Sequence, residues 1–212
     1  MTTLLSLIAV TAALASPHSQ DRVPLTPSEA AAYGLTVGPQ ETVWRNADLG
    51  NVGSQALDKG AVQLLSLSPF ELRGSTSDTF LTMTAEGRYC ASGSTGPFAD
   101  MQLQLADGQR ITSMRVWAFD NTASNELTVS LIERCTPNVA PGNVITSVVA
   151  AITPALSNGN VSQITAIGAN NVIDNDICTY TVRTRFGAAG NDPPCGGSSL
   201  RLQKVRFGYE LQ

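Results

Sequence analysis

The chain has 212 residues and a formal net charge of −4. That length suits one domain with a short appendage, and that charge leaves no basic footprint for a phosphate backbone, so nucleic acid is not an expected partner. Charged residues make up only 14% of the chain; hydroxyls and amides stand in for Lys and Glu, as they do in β-rich extracellular domains.

In chain order, the first element is an apolar run from Leu4 to Leu14. It ends in Ala13-Leu14-Ala15, a small-x-small cleavage pattern, and turns polar at Ser16. The run is too short to span a bilayer as a helix. No Lys or Arg precedes it, which departs from the usual leader, and a helix buried in the domain or a partner is the alternative. The expectation is a signal peptide over 1–15 and a secreted or periplasmic product with no membrane contact after processing.

Residues 16–60 read as an N-terminal arm with one short helix. In LTPSEAAAYGLT, Thr26 can cap, Pro27 fits the first helical position, Glu29 completes a capping box and Gly34 stops the helix, which places it at 27–33. Beyond Gly34 no period is sustained, so an irregular arm is expected, with Trp44 as its anchor.

From Ala61 the texture changes to short runs of Val, Ile, Leu, Thr and aromatics between turn clusters. The spacing predicts strands at 62–67, 79–88, 99–105, 110–119, 126–134, 143–152, 160–168, 178–186 and 198–211. Met114, Val116 and Ala118 share one face of their strand, as do Leu127, Val129 and Leu131. A two-residue period puts each set on the core side of a sheet. The fold class is therefore all-β: an antiparallel, jelly-roll-like β-sandwich over 61–212 with a short N-terminal helix and arm.

Cys90, Cys135, Cys178 and Cys195 are too widely spaced for metal or redox motifs, and an even number in an exported chain predicts two disulfides. If each connection reverses the chain, the loops alternate between the two ends of the sandwich. Cys90 then shares an end with Cys195, and Cys135 with Cys178. A bridge needs Cα atoms within about 7 Å, which favours those two pairings.

Catalytic constellations are sparse. The single histidine, His18, lies in the polar lead, and neither G-x-S-x-G nor H-E-x-x-H occurs. Carboxylate pairs leave no short signature, so Asp174 with Asp176, or Asp120 with Glu126, stay as candidates for a glycan hydrolase or lyase. Asp174 and Asp176 are also the candidate ligands of a structural calcium, the one metal the loops suggest, although acids in turns more often cap backbone amides.

The stretch VWAFDNTASNELTVSLI carries the clearest binding signal. With Met114, Val116 and Ala118 facing the core, Arg115, Trp117 and Phe119 point outward beside Asp120, Asn121 and Asn125. Such a platform suits sugar rings, a neighbouring subunit, or the arm itself; the arm is the leading expectation. The turn 120–125 reads first as a hairpin connection. Arg201, Lys204 and Arg206 read as the solvated face of a strand. The functional expectation is an exported, non-catalytic module that binds a carbohydrate or another cell-surface ligand. Its alternatives are an oligomeric assembly subunit of a surface layer, fibre or virion appendage, and a carboxylate-dependent glycan enzyme.

Overall fold

The computed structural model describes residues 22–37, 42–46, 62–122, 126–136, 144–154, 159–168, 171–187 and 195–211. The leader over 1–15, His18 and Asn125 lie outside the described residues. In chain order the elements begin with β1 (Arg22–Pro24), helix α1 (Pro27–Ala32), β2 (Val43–Asn46), β3 (Gln63–Leu67), β4 (Arg73–Gly74), β5 (Leu81–Thr84) and β6 (Gly87–Cys90). They continue with β7 (Phe98–Gln102), β8 (Arg110–Asp120), β9 (Leu127–Cys135), β10 (Ile145–Ile152), β11 (Gly159–Ala166), β12 (Cys178–Phe186) and β13 (Leu200–Glu210).

These strands form two sheets. The first runs β1-β2-β10-β9-β12-β7-β4, and the second runs β11-β8-β13-β6-β5, with β3 also pairing β13. Pairing is antiparallel except between β2 and β10. The expected all-β sandwich is what the chain forms, and its core lies where the alternation put it. Met114, Val116 and Ala118 of β8 face Leu127, Val129 and Leu131 of β9 in one buried cluster with Val182, Phe186, Leu202 and Phe207. Burying each of these side chains other than Ala118 stabilises the fold by about 1.5–3 kcal/mol.

Three expectations change. First, 79–88 is not one strand but the hairpin β5–β6, turning at Ala85-Glu86. Gly87 sits there at φ 135°, and a Cβ on it would meet the Leu202 carbonyl oxygen at 2.5 Å. Only glycine permits that backbone and that approach to β13. Gly87→Ala is expected to cost about 1–3 kcal/mol, read as a lower midpoint in urea; an unchanged midpoint would mean that β6 tolerates a shift away from β13.

Second, the arm is less irregular than expected. Its β1 and β2 extend the first sheet beyond β10, and Ala30 of α1 packs with Leu25, Val43 of β2 and Val148 of β10 in a small cluster apart from the main core. The capping box forms as the sequence predicts: Thr26 Oγ1 accepts from the Glu29 amide, and the Glu29 carboxylate accepts from the Thr26 amide. Those hydrogen bonds hold the Glu29 carboxyl below the usual carboxylate range. At the other end of α1, Arg185 donates to the Ala32 carbonyl at 3.0 Å and Arg183 to the Gly34 carbonyl at 2.6 Å. Cations on β12 thus satisfy carbonyls that the end of a helix leaves without partners.

Third, the connection 120–125 is not a hairpin. It leaves β8 in the second sheet and enters β9 in the first, so it crosses the end of the sandwich.

Both disulfides form as paired in the sequence, Cys90–Cys195 and Cys135–Cys178. The β5–β6 turn lies before Cys90 and so does not alter which end the later loops occupy. The bridge Cys135–Cys178 joins residues directly opposite in the β9–β12 ladder.

Candidate functional site

The outward face of the second sheet is built by β8, flanked by β11 and β13. Its register sets three rows across the strands. Asn160, Phe119 and Arg201 form the first, Ser162, Trp117 and Lys204 the second, and Ile164, Arg115 and Arg206 the third. Side chains opposite one another on antiparallel strands touch, so each row is a contact.

A β-bulge decides the composition of this face. The β13 register shifts between Leu202 and Lys204, leaving Gln203 as the extra residue. Without it, the period of two would carry Lys204 and Arg206 inward and Val205 and Phe207 outward. With it, Val205 and Phe207 stay in the core, while Lys204 and Arg206 join Trp117. Gln203 uses its position to donate from Nε2 to Asn160 Oδ1 at 2.6 Å. The sequence carries a signal of this bulge. In LRLQKVRF the buried positions are Leu200, Leu202, Val205 and Phe207, with a three-residue step where two is the rule.

Cations gather round the rings. Arg115, Lys204 and Arg206 lie 5.3, 5.1 and 5.0 Å from the Trp117 ring centre, and Arg201 lies 4.4 Å from that of Phe119. Each contact contributes about 0.5–1 kcal/mol at a partly exposed site. Arg201 also pairs with Glu86. No described carboxylate pairs with Arg115, Lys204 or Arg206, and Arg115 Nε is buried without a hydrogen-bond partner. The strand of basic residues is therefore not a separate solvated face; it is part of the aromatic platform.

The described residues of the arm, 22–37 and 42–46, do not provide the cover expected for this platform. They lie on the first sheet, and Trp44 stands opposite Ser147 of β10 and Pro24 of β1. An edge strand with open hydrogen-bonding groups is a stronger dock than an aromatic face, and β2 pairs with β10 accordingly.

Of the polar residues expected beside Trp117, Asp120 is turned the other way and is 1% exposed. Its Oδ1 accepts from the Thr122 amide at 3.1 Å, while Oδ2 is buried without a partner. Burial pushes its pKa up, against the Thr122 hydrogen bond and with a smaller push from Glu126. Asn121 is exposed, and its amide donates to the Ser199 carbonyl at 3.0 Å.

Asp174 is engaged as a turn cap, since its Oδ1 accepts from the amides of Asp176 and Ile177 at 3.1 and 3.3 Å. Among the described residues, Asp174 and Asp176 gather no third His, Cys, Asp or Glu around a metal position. The cluster that does gather three such atoms is Glu133, Cys135 and Cys178, where both sulfurs are already bonded to each other.

One concavity of the surface was not legible in the sequence. A polar cleft of about 1030 Å³ is lined by residues of β3, β4, β7 and β12 and of the segments beside them, including Glu71, Arg73, Gln102, Gln104, Thr179 and Thr181. It holds hydrogen-bonding groups and no aromatic ring, so it lacks the stacking surface of the β8 face.

No protein-family model matches the sequence, and no curated protein matches it. Solved structures give a distant likeness. A xylan-binding module of family CBM15 is 12% identical with a TM-score of 0.45, over 72% of this chain and 99% of that one. A family 35 carbohydrate-binding module from Clostridium thermocellum is 9% identical with a TM-score of 0.36, over 68% and 97%. A CBM4 module is 16% identical with a TM-score of 0.34, over 67% and 92%. At such identities and scores the likeness carries no function to this chain.

Proposed function

We propose that this protein is an exported, non-catalytic β-sandwich module that binds carbohydrate on the outward face of its second sheet. One observation carries the reading: Trp117 and Phe119 stand in adjacent rows of a strand, flanked by Asn160, Ser162 and Gln203. Aromatic faces stack on the apolar faces of sugar rings, and amides and hydroxyls beside them can hydrogen-bond the ring hydroxyls. Export is supported by the leader pattern at 1–15 and by two disulfides, which form and persist in oxidising compartments. No helix among the described residues is long and apolar enough to cross a membrane.

Trp fluorescence of the purified protein, titrated with a panel of polysaccharides, tests the reading. A saturable shift is expected for at least one of them, lost in Trp117→Ala and kept in Trp44→Ala. Truncating a central aromatic contact should weaken binding by at least about thirtyfold. A shift that follows Trp44 instead, or none with any polysaccharide, overturns it.

One observation favours an assembly role as the second reading. Leu64 of β3 and Ile164 of β11 are 58% and 48% exposed on the same sheet whose outer face carries Trp117. A discrete oligomer in size-exclusion chromatography that becomes monomeric in Ile164→Ser would replace the carbohydrate reading.

A further inference from the structure

The geometry points to an acidic polysaccharide, one bearing carboxylate or sulfate groups, as the ligand class of the Trp117 face; we infer this on top of the carbohydrate reading. The chain carries 13 basic against 17 acidic residues, so acids able to pair with a cation are not scarce. Yet Arg115, Lys204 and Arg206 converge on one ring, and no described carboxylate pairs with any of them. Several other arginines do have an acid: Arg183 makes two 2.7 Å hydrogen bonds to Asp100, Arg110 pairs with Glu210, and Arg22 pairs with Glu133.

Three like charges around one indole repel each other, and the ring offsets only part of that through its negative face. An anion placed between them relieves the repulsion. It also gains charge-assisted hydrogen bonds, which guanidinium groups make bidentately with planar carboxylates. A neutral glycan would gain the stacking on Trp117 and Phe119 but would leave the repulsion in place. The face thus combines the two features an acidic sugar needs, an aromatic surface for its ring and cations for its charge. The register provides both: rows one residue-pair apart put Lys204 level with Trp117 and Arg206 level with Arg115. Nucleic acid also has flat rings and negative charge, but its affinity rests on many phosphate contacts along a basic track. Here the cations are confined to a short stretch of two strands in a chain of net negative charge.

Matched polymers test the inference on the full chain. Polygalacturonate and its fully methyl-esterified form share a backbone and differ in charge; dextran sulfate and dextran are a second such pair. Binding is measured by affinity electrophoresis and calorimetry. The charged member of at least one pair is expected to bind at least about tenfold more tightly than its neutral counterpart, the equivalent of one charged hydrogen bond. Which pair responds tells a carboxylate ligand from a sulfated one. Lys204→Gln with Arg206→Gln is expected to weaken the charged polymer by about tenfold or more, and by more than it weakens the neutral one. Raising salt from about 50 to about 500 mM should weaken the charged polymer in the unmodified protein, a readout that no folding defect can mimic.

Equal affinity for charged and neutral members overturns the inference and leaves the carbohydrate reading standing. Absence of binding to every polymer, neutral and charged, overturns both. Duplex DNA binding as tightly as the acidic glycan also overturns the inference, because the face would then be a general polyanion surface.

Discussion

Replacing Arg22 with alanine is expected to lower the unfolding free energy by about 3–5 kcal/mol, the usual consequence of leaving one partner of a buried ion pair alone. Arg22 lies in β1, and its Nη2 meets Oε2 of Glu133 in β9 at 2.6 Å, with β2 and β10 between the two strands in the sheet order. The two side chains are only 14% and 4% exposed, so neither is screened by much water. Tyr180 donates its hydroxyl to the other carboxylate oxygen at 3.3 Å and accepts from the Asp174 amide at 3.0 Å. Burial drives the Tyr180 pKa well above its ordinary value, so the hydroxyl stays protonated and keeps donating at neutral pH.

Without the guanidinium, the Glu133 carboxylate keeps one neutral donor and no countercharge. Chemical denaturation reads the loss as a lower urea midpoint. The double variant Arg22→Met with Glu133→Leu should recover most of it, since an apolar pair of similar volume avoids the desolvation of both charges. A cost below about 1 kcal/mol for Arg22→Ala would mean that β1 peels away and water reaches Glu133, which would make the arm a loosely held addition. The docking of α1 by Arg183 and Arg185 predicts the opposite.

The second large effect concerns the disulfides. The bridges span 105 residues for Cys90–Cys195 and 43 for Cys135–Cys178. Restricting the unfolded chain over loops of that length stabilises the fold by about 5 and about 4 kcal/mol in the chain-entropy picture. Single-bridge removal, as Cys90→Ala with Cys195→Ala or Cys135→Ala with Cys178→Ala, is expected to lower stability by amounts of that order. Together they rival the about 5–15 kcal/mol that holds an ordinary domain. The fully reduced protein should therefore be largely unfolded at low denaturant, seen as loss of far-UV β signal with reductant. Intact mass should fall short of the reduced value by about four hydrogens. Four alkylatable thiols in the native protein would contradict both bridges, and with them the export argument.

Much of the fold was legible because its signals are local. A period of two in 110–119 and 126–134 named the inward residues of β8 and β9, and all six are essentially inaccessible. Thr26, Pro27, Glu29 and Gly34 announced α1 because capping is chemistry between residues three apart. The candidate site was legible in part. Arg115, Trp117 and Phe119 were placed outward by the same alternation that put Val116 inward. Asp120 was not: grouping it with its sequence neighbours overlooked that the next position of a strand points to the opposite face.

The sequence by itself thus determined the core faces of β8 and β9, the strands of the main body apart from one hairpin and the two-residue β4, and which cysteines can meet. Each follows from a short-range pattern or from counting chain reversals. Only the tertiary structure decided which strands are neighbours. It sent 120–125 across the sandwich instead of round a hairpin, laid the arm on the first sheet, and brought Lys204 and Arg206 to Trp117. The physical reason is common to all three. Strand pairing is made by backbone groups that are the same in every residue, so the sequence does not label the partner; burial summed over whole sheets does, and a single extra residue at Gln203 is enough to change what an entire face displays.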